Sequence, residues 1–65
     1  MDAEKIAKNL VTLRGNKSLK EVAEANGISI SALSMYEAGN RIPRDEIKVK
    51  LAKYYGTTVE KIFFN

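Results

Sequence analysis

The feature that most constrains this chain is one glycine. In SLKEVAEANGISISALSMYE, residues 18–37, Gly27 follows Asn26 and separates two short helical patterns. Leu19, Val22 and Ala23 stand at i, i+3 and i+4 and so share one helical face. Leu33 and Tyr36 share the face of the second pattern, with Ile28 leading into it. Glycine takes the left-handed conformation that ends a helix at little steric cost, so the chain can turn sharply at Gly27. Ala23 is small where the first helix must approach the second. The residues on either side read as support for this pair.

Ala3 to Arg14 reads as a helix before the pair. Ile6, Leu10 and Leu13 recur at i, i+4 and i+7, and Ala3 and Ala7 extend the stripe. Lys5, Lys8, Asn9 and Thr12 fall on the opposite, solvated face. Asp2 is the candidate N-cap, and Asp2 and Glu4 suit the positive end of the helix dipole. Gly15-Asn16 stops this helix. Ser18 with Glu21 matches the capping box S-x-x-E, which opens a helix from Leu19 to about Asn26. Ser29 is the next N-cap, with Ile28 and Leu33 at the hydrophobic-staple positions. Its helix should run from Ile30 to about Ala38 and end at Gly39.

Asn40-Arg41-Ile42-Pro43 is a loop, since Pro43 biases Ile42 away from helix. A fourth helix starts near Arg44 or Asp45, buries Ile47, Leu51, Ala52 and Tyr55, and ends at Gly56. Thr58 caps a last short helix from Val59 to about Phe63, with Val59, Ile62 and Phe63 inward. No strand alternation or repeat appears. The expected architecture is all-α: five short helices in one domain across residues 1–65.

Composition narrows the function. With no Cys and no His, neither a disulfide nor the usual metal ligands can brace the fold, and helix packing must suffice, helped by dimerisation. No apolar run approaches the roughly 20 residues of a membrane span. MDAEKIAKNL is unlike an export signal. A cytoplasmic location is therefore expected. An enzyme is the weakest class: no carboxylate pair sits in an evident cleft, and no glycine-rich phosphate loop appears. No cofactor and no metal are expected. Eleven Lys and Arg against eight Asp and Glu leave a net charge of +3, which fits a nucleic-acid footprint but is shared by many soluble proteins.

The combination of Val22-Ala23, Asn26-Gly27-Ile28-Ser29, Leu33-Ser34, Tyr36-Glu37, Gly39-Asn40-Arg41-Ile42-Pro43, Leu51-Ala52-Lys53 and Gly56-Thr57-Thr58 carries a resemblance. With these residues the chain resembles the Cro/C1-type helix-turn-helix, or XRE, family of bacterial and phage transcription regulators. The likeness runs from about Ile6 to Phe63. It implies a lambda-repressor-like domain whose third helix lies in the DNA major groove while the second crosses the backbone. With Leu33 and Tyr36 inward, Ile30, Ser31, Ser34 and Met35 lie outward and Ala32 lies at the edge. Together with Ser29 these are the base-facing candidates. Lys17, Lys20, Asn40, Arg41 and Arg44 are the phosphate candidates, joined by Ser18 and Leu19 through the amides that open the second helix. The resemblance also implies an ion pair between Arg14 and Glu37, tying the first helix to the third.

The departures from the family pattern matter as much. Members often carry Arg, Gln or Lys at the positions of Ile30, Ala32 and Met35, and such side chains read base edges by paired hydrogen bonds. Here the face offers apolar contact suited to thymine methyl groups, and serine hydroxyls that tolerate several bases. Modest base discrimination is expected, with a share taken by DNA shape. Leu19 stands where the family often has Gln, and the loop before it is shorter than usual. Lys48 stands at a position that is commonly Leu, which implies a rotated or re-packed fourth helix unless the Lys stem snorkels to water.

The reading is a repressor from a phage or mobile element, binding double-stranded DNA at a pseudo-palindromic operator as a homodimer. Phe64 and Tyr54 are the candidate dimer contacts. The alternative is an antitoxin or other protein-binding adaptor on the same fold, with Ile30 and Met35 meeting a protein partner.

Overall fold

Four polar side chains start four of the helices. Asp2 accepts the amides of Glu4 and Lys5 at 3.1 and 3.2 Å, and Ser18 accepts that of Glu21 at 3.0 Å. Ser29 accepts the amide of Ala32 at 2.9 Å, and Thr58 that of Lys61 at 3.1 Å. Each such cap satisfies one donor that the first turn leaves over, and is worth about 1 kcal/mol. The computed structural model describes residues 2–64 and contains α1 (Ala3–Arg14), α2 (Leu19–Ala25), α3 (Ile30–Glu37), α4 (Asp45–Tyr54) and α5 (Val59–Phe63). No strand occurs among the described residues, so the class is all-α as expected. Only α4 starts without a side-chain cap; Asp45 and Glu46 in its first turn face the dipole instead.

Gly27 has φ +66°, the left-handed conformation expected of it. Two hydrogen bonds close the end of α2: Ile28 N–H donates to Ala23 at 3.0 Å, and Gly27 N–H to Glu24 at 3.3 Å. This doubly bonded end lets α3 begin within a few residues of the end of α2. Leu10, Val22, Ala23, Leu33 and Leu51 are wholly buried and form the centre, closed below by Ile62 and Phe63. α1 packs on α3 and α5, α2 on α3, and α4 on α5. Among the described residues, no helix is long and apolar enough to cross a membrane.

Several side chains sit elsewhere than their spacing predicts. Asn9, expected on the solvated face of α1, is half-buried and donates through Nδ2 to the Ile62 carbonyl at 2.9 Å. That carbonyl lies in the last turn of α5, where no helical amide remains to bond it. Asn26 is buried as well, and its Nδ2 donates to the Val22 carbonyl at 2.8 Å, so it closes α2 from inside the core. Leu13 and Ala3 are only half-buried. Of the capping box, only the Ser18 half is present among the described hydrogen bonds.

The fourth helix holds two more differences. Tyr55 lies one residue past α4 and is half-buried; its hydroxyl is enclosed with no hydrogen-bond partner among the described residues. Tyr54, expected to be free for a dimer contact, packs on the core with its ring edge-on to Tyr55, centroids 5.1 Å apart. Lys48 does not snorkel into open solvent. It is buried, with its ammonium 5.9 Å from the Phe63 ring and 5.3 Å from the Phe64 ring, and Nζ donates to Asp45 at 3.4 Å.

Candidate nucleic-acid interface

α3 presents one face to the core and another to solvent. Leu33 and Tyr36 are buried, and the helical repeat therefore turns Ile30, Ser31, Ser34 and Met35 outward. Ile30 is 46% exposed and Met35 39%. Residues four apart are neighbours on a helix, so Ile30 sits beside Ser34 and Ser31 beside Met35. Ala32 lies at the edge, half-buried against the core. Ser29, itself exposed, uses an oxygen lone pair to accept the Ala32 amide, which leaves its hydroxyl hydrogen free to donate.

Polar and cationic side chains stand at both ends of this face. Lys17, Ser18 and Lys20 lie where α2 begins; Asn40, Arg41 and Arg44 lie on the loop after α3, and all are exposed. Leu19 turns its side chain onto the core, so its backbone amide is the only group it offers to a phosphate. Arg44 Nε lies 3.1 Å from Glu46 Oε1, an exposed pair of the weak kind that a phosphate can displace. Ser29, Ala32, Arg41 and Arg44 come together with Ile42 around a groove of about 370 Å³ between the start of α3 and the following loop. Ile42 was not among the site residues expected from sequence, yet it is 39% exposed there. Pro43 was the available signal: buried beside it, the ring anchors the loop and holds Ile42 outward. Lys50 is a further cation that spacing did not reveal. Its Nζ lies 3.9 Å from where a Cβ on Gly27 would stand, beside the α2–α3 turn.

The acid of α3 is turned away from the outward face. Arg14 Nε donates to Glu37 Oε2 at 2.8 Å and to Oε1 at 3.0 Å, tying α1 to α3. Arg14 Nη1 also donates to the Lys17 carbonyl at 2.7 Å. One guanidinium therefore fixes both the end of α3 and the loop that carries Lys17 and Ser18. Its hydrogen bond to Glu37 holds the Arg14 pKa above its ordinary value, against the opposing effect of burial. Tyr55 feels the same pair. Burial pushes its pKa up to about 12, and the Glu37 charge adds to the rise. Among the described residues, no three His, Cys, Asp or Glu side chains gather at one point as a metal would need.

A family model described as helix-turn-helix matches residues 8–62, from within α1 to within α5. No curated protein and no solved structure matches the chain. The matched span holds the α2–α3 pair, the Gly27 turn, the groove behind Ile42 and the Arg14–Glu37 tie. The chain belongs to the Cro/C1-type helix-turn-helix, or XRE, family of DNA-binding regulators, on a five-helix lambda-repressor-like fold.

Proposed function

We propose that this chain acts in the cytoplasm, as a single domain, to repress transcription of a phage or mobile element by seating α3 in the major groove of a pseudo-palindromic operator. The observation that carries the reading is the distribution of charge around α3. Its outward residues are uncharged, its one acid is bound to Arg14, and exposed cations stand at both ends. A polyanion fits such a frame, with cations on the phosphates and the uncharged face on the base edges. Ser18 and Ser29 accept backbone amides and each keep a hydroxyl hydrogen to donate. Two copies would bind half-sites about one helical turn apart, and Phe64, 61% exposed at the end of α5, is the apolar contact proposed between them.

The salt dependence of duplex binding tests this directly. Each phosphate neutralised should contribute about −0.9 to the log–log slope. Arg41→Ala should weaken all sequences alike and reduce the slope by about one phosphate. A slope of zero would sink the reading. Co-purification of the chain with a second protein would favour the antitoxin or adaptor role.

A further inference from the structure

We infer that the outward face of α3 reads the 5-methyl groups of pyrimidines, so that thymines mark its half-site and 5-methylcytosine can replace thymine there. This rests on the DNA-binding reading above and names what that interface recognises. Ile30, Ser31, Ser34 and Met35 carry no amide, guanidinium or carboxylate, and Glu37 is held by Arg14. The two serine hydroxyls both donate and accept, so they match several base edges equally well. Hydrogen bonding on this face therefore discriminates weakly.

Apolar shape is what remains to discriminate. Along the major groove, the C5-methyl of thymine is the one apolar group that the four bases present. Ile30 and Met35 are 46% and 39% exposed, on a face that carries no free charge. They gain most where that apolar surface meets a methyl group. The surroundings favour DNA over a protein as the occupant, because Lys17, Lys20, Arg41 and Arg44 flank the face with positive charge. The two readers differ in stiffness. Branched Ile30 strongly prefers one χ1 rotamer in a helix and should fix one methyl position, while unbranched Met35 adapts to small shifts. A methyl on cytosine C5 occupies the same place in the groove as that of thymine, so the face cannot tell the two apart.

The experiment uses the full chain and a duplex enriched from a random pool by repeated binding. That duplex is resynthesised with deoxyuridine for each thymidine in turn, then with cytosine or 5-methylcytosine at the sensitive positions. Removing one contacted methyl should weaken binding about fourfold, the equivalent of one buried methyl carbon. Cytosine should show the same loss, and 5-methylcytosine should restore the thymidine level. Ile30→Ala and Met35→Ala, both at exposed sites, should each erase the thymidine–deoxyuridine difference at its own position. Equal binding of thymidine and deoxyuridine duplexes, with the salt slope intact, would overturn the inference and leave DNA binding standing. A difference that survives both variants would also overturn it, since DNA shape would then be the cause. A salt slope of zero on every duplex would remove the DNA-binding reading itself and leave the face to a protein partner.

Discussion

Arg14 and Lys48 are both cations drawn toward the core, and their surroundings meet them in opposite ways. Arg14 keeps 22% of its side chain exposed and binds Glu37, which keeps 7%. Lys48 keeps 8% and binds Asp45, which keeps 99%. At the first site the anion has given up its water and depends on two short bonds from one guanidinium. At the second only the cation has lost water, and it rests against the faces of Phe63 and Phe64 while its anion stays hydrated. The contrast lies less in the cations than in what each would leave behind. Without Arg14 a carboxylate is stranded in the protein; without Lys48 the anion left behind, Asp45, is already in water.

The same substitution at both sites should therefore give opposite signs, and the larger effect belongs to Arg14→Met. Methionine keeps much of the length and apolar stem but leaves Glu37 unpaired. Removing one partner of a buried pair costs about 3–5 kcal/mol, and the partial exposure of Arg14 puts this case near 3. That is a large part of the stability of a chain this size. The Lys17 carbonyl loses its anchor as well, so duplex binding should weaken with no change in preferred sequence. Urea unfolding at pH 7 and binding to an enriched duplex measure the two parts. A loss below about 1 kcal/mol would mean that Glu37 finds water easily, and would dissolve the contrast with Lys48.

What was legible in the sequence divides along the same line. Helix ends were legible because caps act locally: Ser18, Ser29 and Thr58 bond amides three residues on, and Gly27 turns the chain where it stands. The outward face of α3 was legible because Leu33 and Tyr36 fix its rotation. The Arg14–Glu37 tie came from family resemblance, since 23 residues separate the partners and no local rule joins them. Asn9 was misplaced for the matching reason. Its partner, the Ile62 carbonyl, lies 53 residues away, and helical periodicity alone put Asn9 in solvent. Lys48 was illegible in the same way, because Phe63 and Phe64 reach it from the end of α5. Sequence places Ile42 in a loop but cannot give its exposure, which depends on how Pro43 packs.

Tyr55 sharpens the comparison through pH. Its hydroxyl is enclosed without a partner, and both burial and the Glu37 charge hold its pKa near 12 against an ordinary 10. The unfolded chain releases this proton near pH 10 while the folded chain keeps it. Between pH 10 and 12 the unfolded state thus binds fewer protons, and rising pH favours unfolding. The stability is fully present below pH 10 and is lost through pH 12. At about 1.4 kcal/mol per unit, trimmed for the water that reaches part of the ring, the loss is about 2 kcal/mol. Tyr55→Phe removes both the titration and the unpartnered hydroxyl. It should be neutral or stabilising by up to about 1 kcal/mol at pH 7. Its advantage over the unsubstituted chain should widen from pH 10 to 12. Parallel alkaline curves for the two proteins would show that the hydroxyl titrates as if in water.

Lys48→Met should give the smallest effect and the opposite sign to Arg14→Met. The substitution removes a weak bond to a hydrated carboxylate and the attraction of a desolvated ammonium for two rings, worth about 2 kcal/mol together. It also removes the cost of keeping an ammonium out of water, which is several kcal/mol per ion in proteins. Methionine fills the same unbranched space and brings its sulfur against the Phe63 and Phe64 rings, a favourable contact in its own right. The balance is a gain of about 1 kcal/mol. Urea unfolding at pH 7 reads it, with Lys48→Ala as the companion that keeps the charge loss but leaves a void. If Met and Ala both destabilise alike, the ammonium itself holds α4 to α5, and the two buried cations are the same device after all. If Met stabilises and Ala does not, Lys48 contributes packing through its stem, and among the described residues the buried charge this fold depends on is the pair that holds α3 to α1.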